Sequence, residues 1–200
     1  MTLLEQGAPE SVEGRGILVL ETERLVLRPP RFEDAAAIAA LGNDRRIAEN
    51  TLRIPYPYTL ADAQAFLTAA NASGGEIVFL ITAWDGAVLG CCGIGKLDGE
   101  HPEIGYWLGV PFWGKGYATE AARAAIDHAF GDLGCEVIVG GARVSNPASR
   151  RVLQKCGFEW TGVGLYRIRA LASSAPVDRF RLDRGLWASL KSWGKVNRGT

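Results

Sequence analysis

Histidine is almost missing from this chain, with His101 and His128 its only two in 200 residues. The cysteines do not make up for it. Cys91 and Cys92 are adjacent and cannot form a Cys-x-x-Cys knuckle, while Cys135 and Cys156 stand alone among apolar neighbours, so the four read as reduced, buried thiols and no metal is expected. Net charge is absent too, since 22 Lys and Arg balance 22 Asp and Glu. No net field therefore draws the protein to nucleic acid or to an anionic membrane, and neither partner is implied. Apolar runs are too short to span a bilayer, and Met1 to Gly16 carries acidic residues and glycines in place of a basic head and an apolar core. The expected location is the cytoplasm. Repeats and low-complexity tracts are also lacking. The length suits one well-buried domain and is short for two. Residues 17–186 are read as that domain, after a flexible arm over residues 1–16 and before a tail over residues 187–200 with too little periodicity to assign.

Glycine is plentiful, at 25 residues, and two of them mark the most informative stretch, Trp113-Gly114-Lys115-Gly116-Tyr117-Ala118-Thr119-Glu120. It joins the apolar run Glu103 to Val110 to an alanine-rich segment of helical periodicity. A strand that turns through glycines into a helix leaves several N–H groups unpaired and aligned with the positive end of the helix dipole, which makes an anion cradle. Gly114 and Gly116 have no Cβ to hold a phosphate off the backbone. Two other phosphate loops do not fit: a Walker loop needs a closing Lys-Ser/Thr pair, and the dinucleotide fingerprint needs a third glycine where Thr119 stands.

A second element follows the strand-like run Glu136 to Val144. Asn146 suits an N-cap, Pro147 the first helical position, and Gly157 a left-handed C-cap against which Phe158 can pack, so a short helix is predicted between them. Elsewhere the pattern predicts a strand over Ile17 to Arg28, ended by Pro29-Pro30, and helices over Asp34 to Leu41 and Leu60 to Asn71, the latter stopped by Ser73-Gly74-Gly75. Between them Asp44 to Asn50 adds a further helical turn and Ile54 to Thr59 a proline-rich loop. Glu76 to Trp84 and Ala87 to Lys96 form a hairpin about Asp85-Gly86, and Asp98-Gly99 turns the chain into the strand from Glu103. Arg167 to Pro176 reads as a variable loop and Val177 to Leu186 as a last strand. The expected class is a mixed α/β fold, an antiparallel meander followed by strand, helix, strand, helix, strand.

That order, with the Gly-Lys-Gly turn and Asn-x-x-Ser leading to Cys-Gly-Phe, closely resembles the GNAT superfamily of acetyl-CoA-dependent N-acetyltransferases. The resemblance runs from about Glu21 to Leu186. Glu21 to Pro29, Ile54 to Thr59 and Glu103 to Leu108 are similar to its RimJ/RimL-like branch, which acetylates ribosomal-protein N-termini. One departure is Trp113, where the family's cofactor loop usually opens with Gln or Arg; backbone donors carry most of that contact.

The resemblance implies a central, mostly antiparallel, splayed sheet flanked by helices, with acetyl-CoA as co-substrate. Its pantetheine would pair with the strand end Leu108-Gly109-Val110 and its pyrophosphate would rest on the turn comprising Trp113, Gly114, Lys115, Gly116, Tyr117, Ala118 and Thr119. Asn146 and Ser149 map onto the family's Asn-x-x-Ser, so Ser149 could donate to the leaving sulfur; alternatively Asn146 only caps the helix and Ser149 completes its first turn. Strand alternation puts Glu103, Gly105, Trp107 and Gly109 on one face, where two glycines leave room beside a carboxylate. Glu103 is then either a general base for the amine or a strand-end residue in solvent. Tyr166 lies in a region where many of these enzymes place an acid, though no motif anchors it. Arg53, Tyr56 and Tyr58 belong to the segment that roofs the acceptor pocket in the family, and equally suit a stiff, partly buried connection. Arg167, Arg169, Arg179, Arg181 and Arg184 either favour an acidic acceptor or form a solvated face. The expected acceptor is a protein N-terminal amine, with a small amine such as an aminoglycoside, polyamine or amino acid, or a non-catalytic acyl-CoA sensor, as the alternatives. A homodimer is the default expectation for a small enzyme.

Overall fold

In the computed structural model residues 18–72, 76–95 and 100–196 are described. The expected arm over residues 1–16, the Ser73-Gly74-Gly75 stop and the Asp98-Gly99 turn lie outside them. One eight-stranded sheet organises the fold: β1 Leu20–Glu21, β2 Leu25–Arg28, β3 Ile77–Ala83, β4 Val88–Gly95, β5 Glu103–Leu108, β6 Val137–Arg143, β7 Glu159–Ile168 and β8 Ser173–Asp183. Their order across the sheet is β1-β2-β3-β4-β5-β6-β8-β7, and every neighbouring pair is antiparallel except β5 with β6.

Helices cover both faces. On one side α1 Ala35–Gly42 and α3 Leu60–Asn71 bury Ile38, Ala63 and Leu67 against Leu80 and Cys91. On the other, α4 Tyr117–Gly131 and α5 Pro147–Lys155 lay Ala121, Ala125, Phe130 and Leu153 over Leu27, Phe79, Ile104 and Ile138. The short α2, Arg45–Ala48, is capped by the Asp44 carboxylate, and α3 begins with a capping box between Thr59 and Asp62. Both are local signals, and both helices fall where the sequence places them. Among the described residues no helix is long and apolar enough to cross a membrane.

Four expectations change. The strand Ile17 to Arg28 is broken into β1 and β2, a tight hairpin in which Thr22 N–H donates to Leu25 O at 2.9 Å. The strand from Glu103 ends at Leu108, because Val110, Pro111 and Phe112 form a 3-10 turn whose proline has no N–H for the ladder. The expected loop Arg167 to Pro176 instead lies in the arms and tip of a long hairpin, in which Tyr166 pairs with Ala175 and Ile168 with Ser173. The last strand stops at Asp183, and what reads as tail begins a helix, α6, Arg184–Val196.

Helix α6 is fixed at its first turns. The Trp187 indole stacks on Phe130 with 5.3 Å between ring centroids and donates to Asp127 at 2.8 Å, and Lys191 meets the same carboxylate at 2.6 Å. Removing a half-buried tryptophan and its hydrogen bond should cost about 2–3 kcal/mol. Trp187→Ala should therefore lower the urea midpoint at unchanged slope; a midpoint equal to wild type would show that α6 contributes nothing to the stability of the domain.

Candidate active site

Strands β5 and β6 pair only at Glu103 with Val139 and Ile104 with Gly140. Beyond that point β5 stays with β4 as far as Gly90 opposite Leu108, while β6 follows β8 from Val137 to Arg143. The two halves of the sheet part. The edge of β5 from Gly105 to Leu108 has no strand partner on the β6 side, and a cavity of about 510 Å³ lies beside it.

The alternation expected along β5 is present. Ile104, Tyr106 and Leu108 pack toward α4 and α5, whereas Trp107 packs toward α1 and α3. Only one of the two glycines on the Glu103 face leaves space. A Cβ at Gly105 would meet nothing, but one at Gly109 would lie 2.7 Å from the Leu41 side chain. Gly109 is needed for close packing, and its N–H already donates to Leu89 O at 2.8 Å.

The turn after β5 is held by a side chain at each end. Trp113 Nε1 donates to Leu108 O at 2.8 Å, which ties the turn to the strand end and leaves the ring partly exposed with the Arg46 guanidinium 5.8 Å from its centroid. Gly114 at φ 75° and Gly116 at φ 84° take left-handed conformations that side chains disfavour. Gly116 caps α4 with no side-chain acceptor, so nothing local caps the amides of Tyr117, Ala118 and Thr119. Beside these donors sits Glu120, an acidic residue in the first turn of a helix expected to hold an anion. Its charge is engaged by the β1–β2 hairpin: Arg24 Nε donates to Oε2 at 2.7 Å, and Arg24 N–H and Thr22 Oγ1 reach Oε1 at 2.8 and 2.7 Å. Arg24 also donates to Lys115 O at 3.0 Å, so the same guanidinium ties the turn to the hairpin. Burial alone would push the Glu120 carboxyl up, but the bonds from Thr22 and Arg24 hold it below the ordinary glutamate value.

At the start of α5 the Asn146 side chain accepts from Ser149 N–H at 3.1 Å, so the capping role is present. The Ser149 hydroxyl meets the Tyr106 hydroxyl at 3.0 Å, and Tyr106 also donates to Ser149 O at 3.1 Å. Burial pushes the Tyr106 phenol well above its usual range, so it stays protonated and can donate.

Glu103 is not a strand-end residue in solvent. Its side chain is 13% exposed and both oxygens accept from Arg179, at 2.9 and 3.0 Å. Arg179 in turn lies 5.0 Å over the ring of Tyr166. Arg179 thus leaves the group of solvated arginines, in which Arg169 stands 4.0 Å from Asp62, Arg181 3.8 Å from Asp183, Arg184 3.0 Å from Glu136, and Arg167 is exposed. Glu103, Ser149, Arg53 and Tyr58 line one cavity; Tyr56 does not, and is 49% exposed. Tyr58 is 7% exposed, and burial pushes its phenol up to about 12. Arg53 pairs with Glu76 at 2.6 Å. Cys91 and Cys92 are buried and unbonded to one another, and burial pushes the Cys92 thiol up to about 12, which makes it a poor nucleophile.

The pattern of the acetyltransferase (GNAT) domain family matches residues 24–159. Among curated proteins the chain is similar to the uncharacterized N-acetyltransferase p20 of Bacillus licheniformis, 29% identical over 151 residues, covering 72% of this chain and 84% of that one. Among solved structures it is similar to Mycobacterium smegmatis RimJ in complex with CoA-disulfide, with a TM-score of 0.70, 22% identity and coverage of 84% and 86% of the two chains. Spermidine N-acetyltransferase from Vibrio cholerae, in complex with CoA and spermine, shares the fold at a TM-score of 0.71, 20% identity and coverage of 84% and 99%.

The Glu120 anchor has a pH signature. Because its folded pKa lies below the unfolded one, its stabilisation is complete above the ordinary value of 4.5 and is lost as pH falls through the folded value. Arg24→Ala should be less stable than wild type at pH 7, with the difference in melting temperature shrinking toward pH 3. A difference independent of pH would mean that the ion pair does not brace the turn.

Proposed function

The chain belongs to the acetyltransferase (GNAT) domain family and is a GNAT-type N-acetyltransferase, and from that premise we propose that it transfers acetyl from acetyl-CoA to a protein N-terminal amine, as a RimJ/RimL-like member of the family. The observation that carries this reading is the single cavity in which the parted edge of β5, Ser149 and Glu103 meet the loop and helix that cover the other side. The match to RimJ, whose structure contains CoA-disulfide, supports the placement by fold alone. Residues 17–186 are proposed as the catalytic unit.

Acetyl-CoA supplies the acyl group as a thioester. In our reading the amides of Tyr117, Ala118 and Thr119, with Trp113, Gly114, Lys115 and Gly116 shaping the turn, hold the pyrophosphate, while the strand end Leu108, Gly109 and Val110 receives the pantetheine arm. The free edge of β5 can pair with amides of that arm as a missing strand would. Neutral amine nitrogen then attacks the thioester carbonyl carbon; a carbon–nitrogen bond forms, the carbon–sulfur bond breaks, and the sulfur takes a proton. Asn146 sets the start of α5, and with the Tyr106 O–H turned to Ser149 Oγ the Ser149 hydroxyl is free to give its own proton to sulfur. Glu103 takes the amine proton through water. Arg179 holds both Glu103 oxygens in place at the edge of the cavity. Tyr58 and Arg53 line the acceptor side. Tyr56 lies outside the cavity and is proposed to contact only an acceptor that extends beyond it.

Three measurements test this reading. A hundredfold excess of acetyl-CoA over its dissociation constant should stabilise the fold by about 2.7 kcal/mol. Gly116→Val should fold yet lose that shift, because a β-branched residue resists a φ of 84° and covers the amides; a retained shift would place the cofactor elsewhere. Incubation with acetyl-CoA and an N-terminal peptide should give an α-acetylated product by mass spectrometry. With Glu103→Gln the rate at pH 7 should fall by about two orders of magnitude and recover at high pH, where the amine arrives neutral; an unchanged rate would remove Glu103 from the chemistry.

A further inference from the structure

We propose that Asn50 and Arg143 form an amide-reading pair in the acceptor cavity, selecting an amine whose neighbouring carbon carries a planar secondary amide. This rests on the reading of that cavity as the acceptor site. Both residues line it. Asn50 Oδ1 and Arg143 Nε are buried, and neither has a hydrogen-bond partner among the described residues. Each side chain is anchored by one bond: Asn50 Nδ2 donates to Arg46 O at 2.8 Å, and Arg143 Nη1 donates to Glu49 O at 2.7 Å. Glu49 directly precedes Asn50, so both side chains are anchored where the end of α2 meets the end of β6.

The chemistry of the orphaned atoms is specific. An amide oxygen only accepts and a guanidinium N–H only donates, so together they complement the N–H and the C=O of one peptide unit. Buried polar atoms left unpaired are penalised, which makes a ligand that satisfies both the preferred one. Arg143 ends β6 just before the turn into α5, the helix that carries Ser149. The pair and Ser149 thus line the same cavity, joined by the short turn from β6 to α5.

The remaining lining argues against a polycation. Each acidic residue of the cavity has an arginine beside it: Asp62 has Arg169 at 4.0 Å, Glu76 has Arg53 and Glu103 has Arg179. Leu52, Ile54, Phe66, Trp107 and Ile168 supply apolar wall. A neutral N-terminal side chain fits this setting, and a second ammonium finds no free carboxylate among the described lining residues.

Acetylation kinetics would be compared for alanyl-alanine amide, alanyl-proline amide, which lacks the amide N–H, propylamine, which lacks the amide altogether, and spermidine. Wild-type enzyme should favour alanyl-alanine amide over each of the others by ~100-fold in kcat/KM. Asn50→Leu should bring alanyl-alanine and alanyl-proline amides to near parity by lowering only the former. Arg143→Lys, which keeps the charge but loses Nε, should lower both amides and spare propylamine; melting curves would confirm that both variants fold. Equal wild-type efficiency for propylamine and alanyl-alanine amide, or discrimination against proline unchanged in Asn50→Leu, overturns the pair while leaving acetyl transfer to an amine intact. Absence of transfer to every amine overturns the pair together with the function on which it rests.

Discussion

The parting of β5 from β6 is the constraint on which the rest of the site depends. Each strand is fully paired on its other side, β5 with β4 and β6 with β8, so each follows its own half of the sheet and they touch at only two positions. Backbone groups along an inner strand do not ordinarily go unpaired. Here they face a cavity, and a ligand with amides of its own can complete the ladder. Alternation along β5 turns Tyr106 toward α5 and Trp107 toward α1 and α3, while Glu103 meets Arg179 of β8, so the proposed proton donor and acceptor reach the opening from different elements.

Electrostatics protects the second half of the site. An anion cradle that carries Glu120 in its first turn would repel its own ligand, unless that charge were engaged. Arg24 and Thr22 engage it from a hairpin nearly 100 residues earlier in the sequence, and Arg24 additionally bonds the Lys115 carbonyl. The β1–β2 hairpin therefore braces the turn through Lys115 and Tyr117 as well as through Glu120. Trp113 plays the matching role on the strand side through Leu108 O. The residue that departs from the usual family pattern serves as a brace.

Features whose causes are local were legible in the sequence. The run Leu60 to Asn71 gave α3 its observed bounds, Asn146 with Pro147 marked α5 at its observed start, and Gly114 and Gly116 marked the turn. What depends on distant partners was not. The break in the first strand brings Thr22 to Glu120, 98 residues away, and the sequence leaves Glu103 open between base and solvent residue until Arg179 is brought to it from β8. Tyr106 looked like one more apolar position of a strand, and only the packing of α5 gives its hydroxyl a partner. Arg167 to Pro176 offered no clean alternation, so its hairpin is imposed by pairing across β7 and β8 and closed by Ala172 in a left-handed turn. One signal was available and passed over: an acidic residue beside an anion cradle calls for a cation, and Glu120 stands in that position.

The central claim, that the free edge of β5 and the first turn of α4 together receive the acyl donor, concerns individual amides. Hydrogen exchange measured residue by residue, with and without acetyl-CoA, tests it most directly. The account predicts slowed exchange at Gly105 to Leu108 and at Tyr117 to Thr119 in the same titration, with little change along β2 and β3. Slowing confined to other segments, or at the turn without the strand edge, would contradict it.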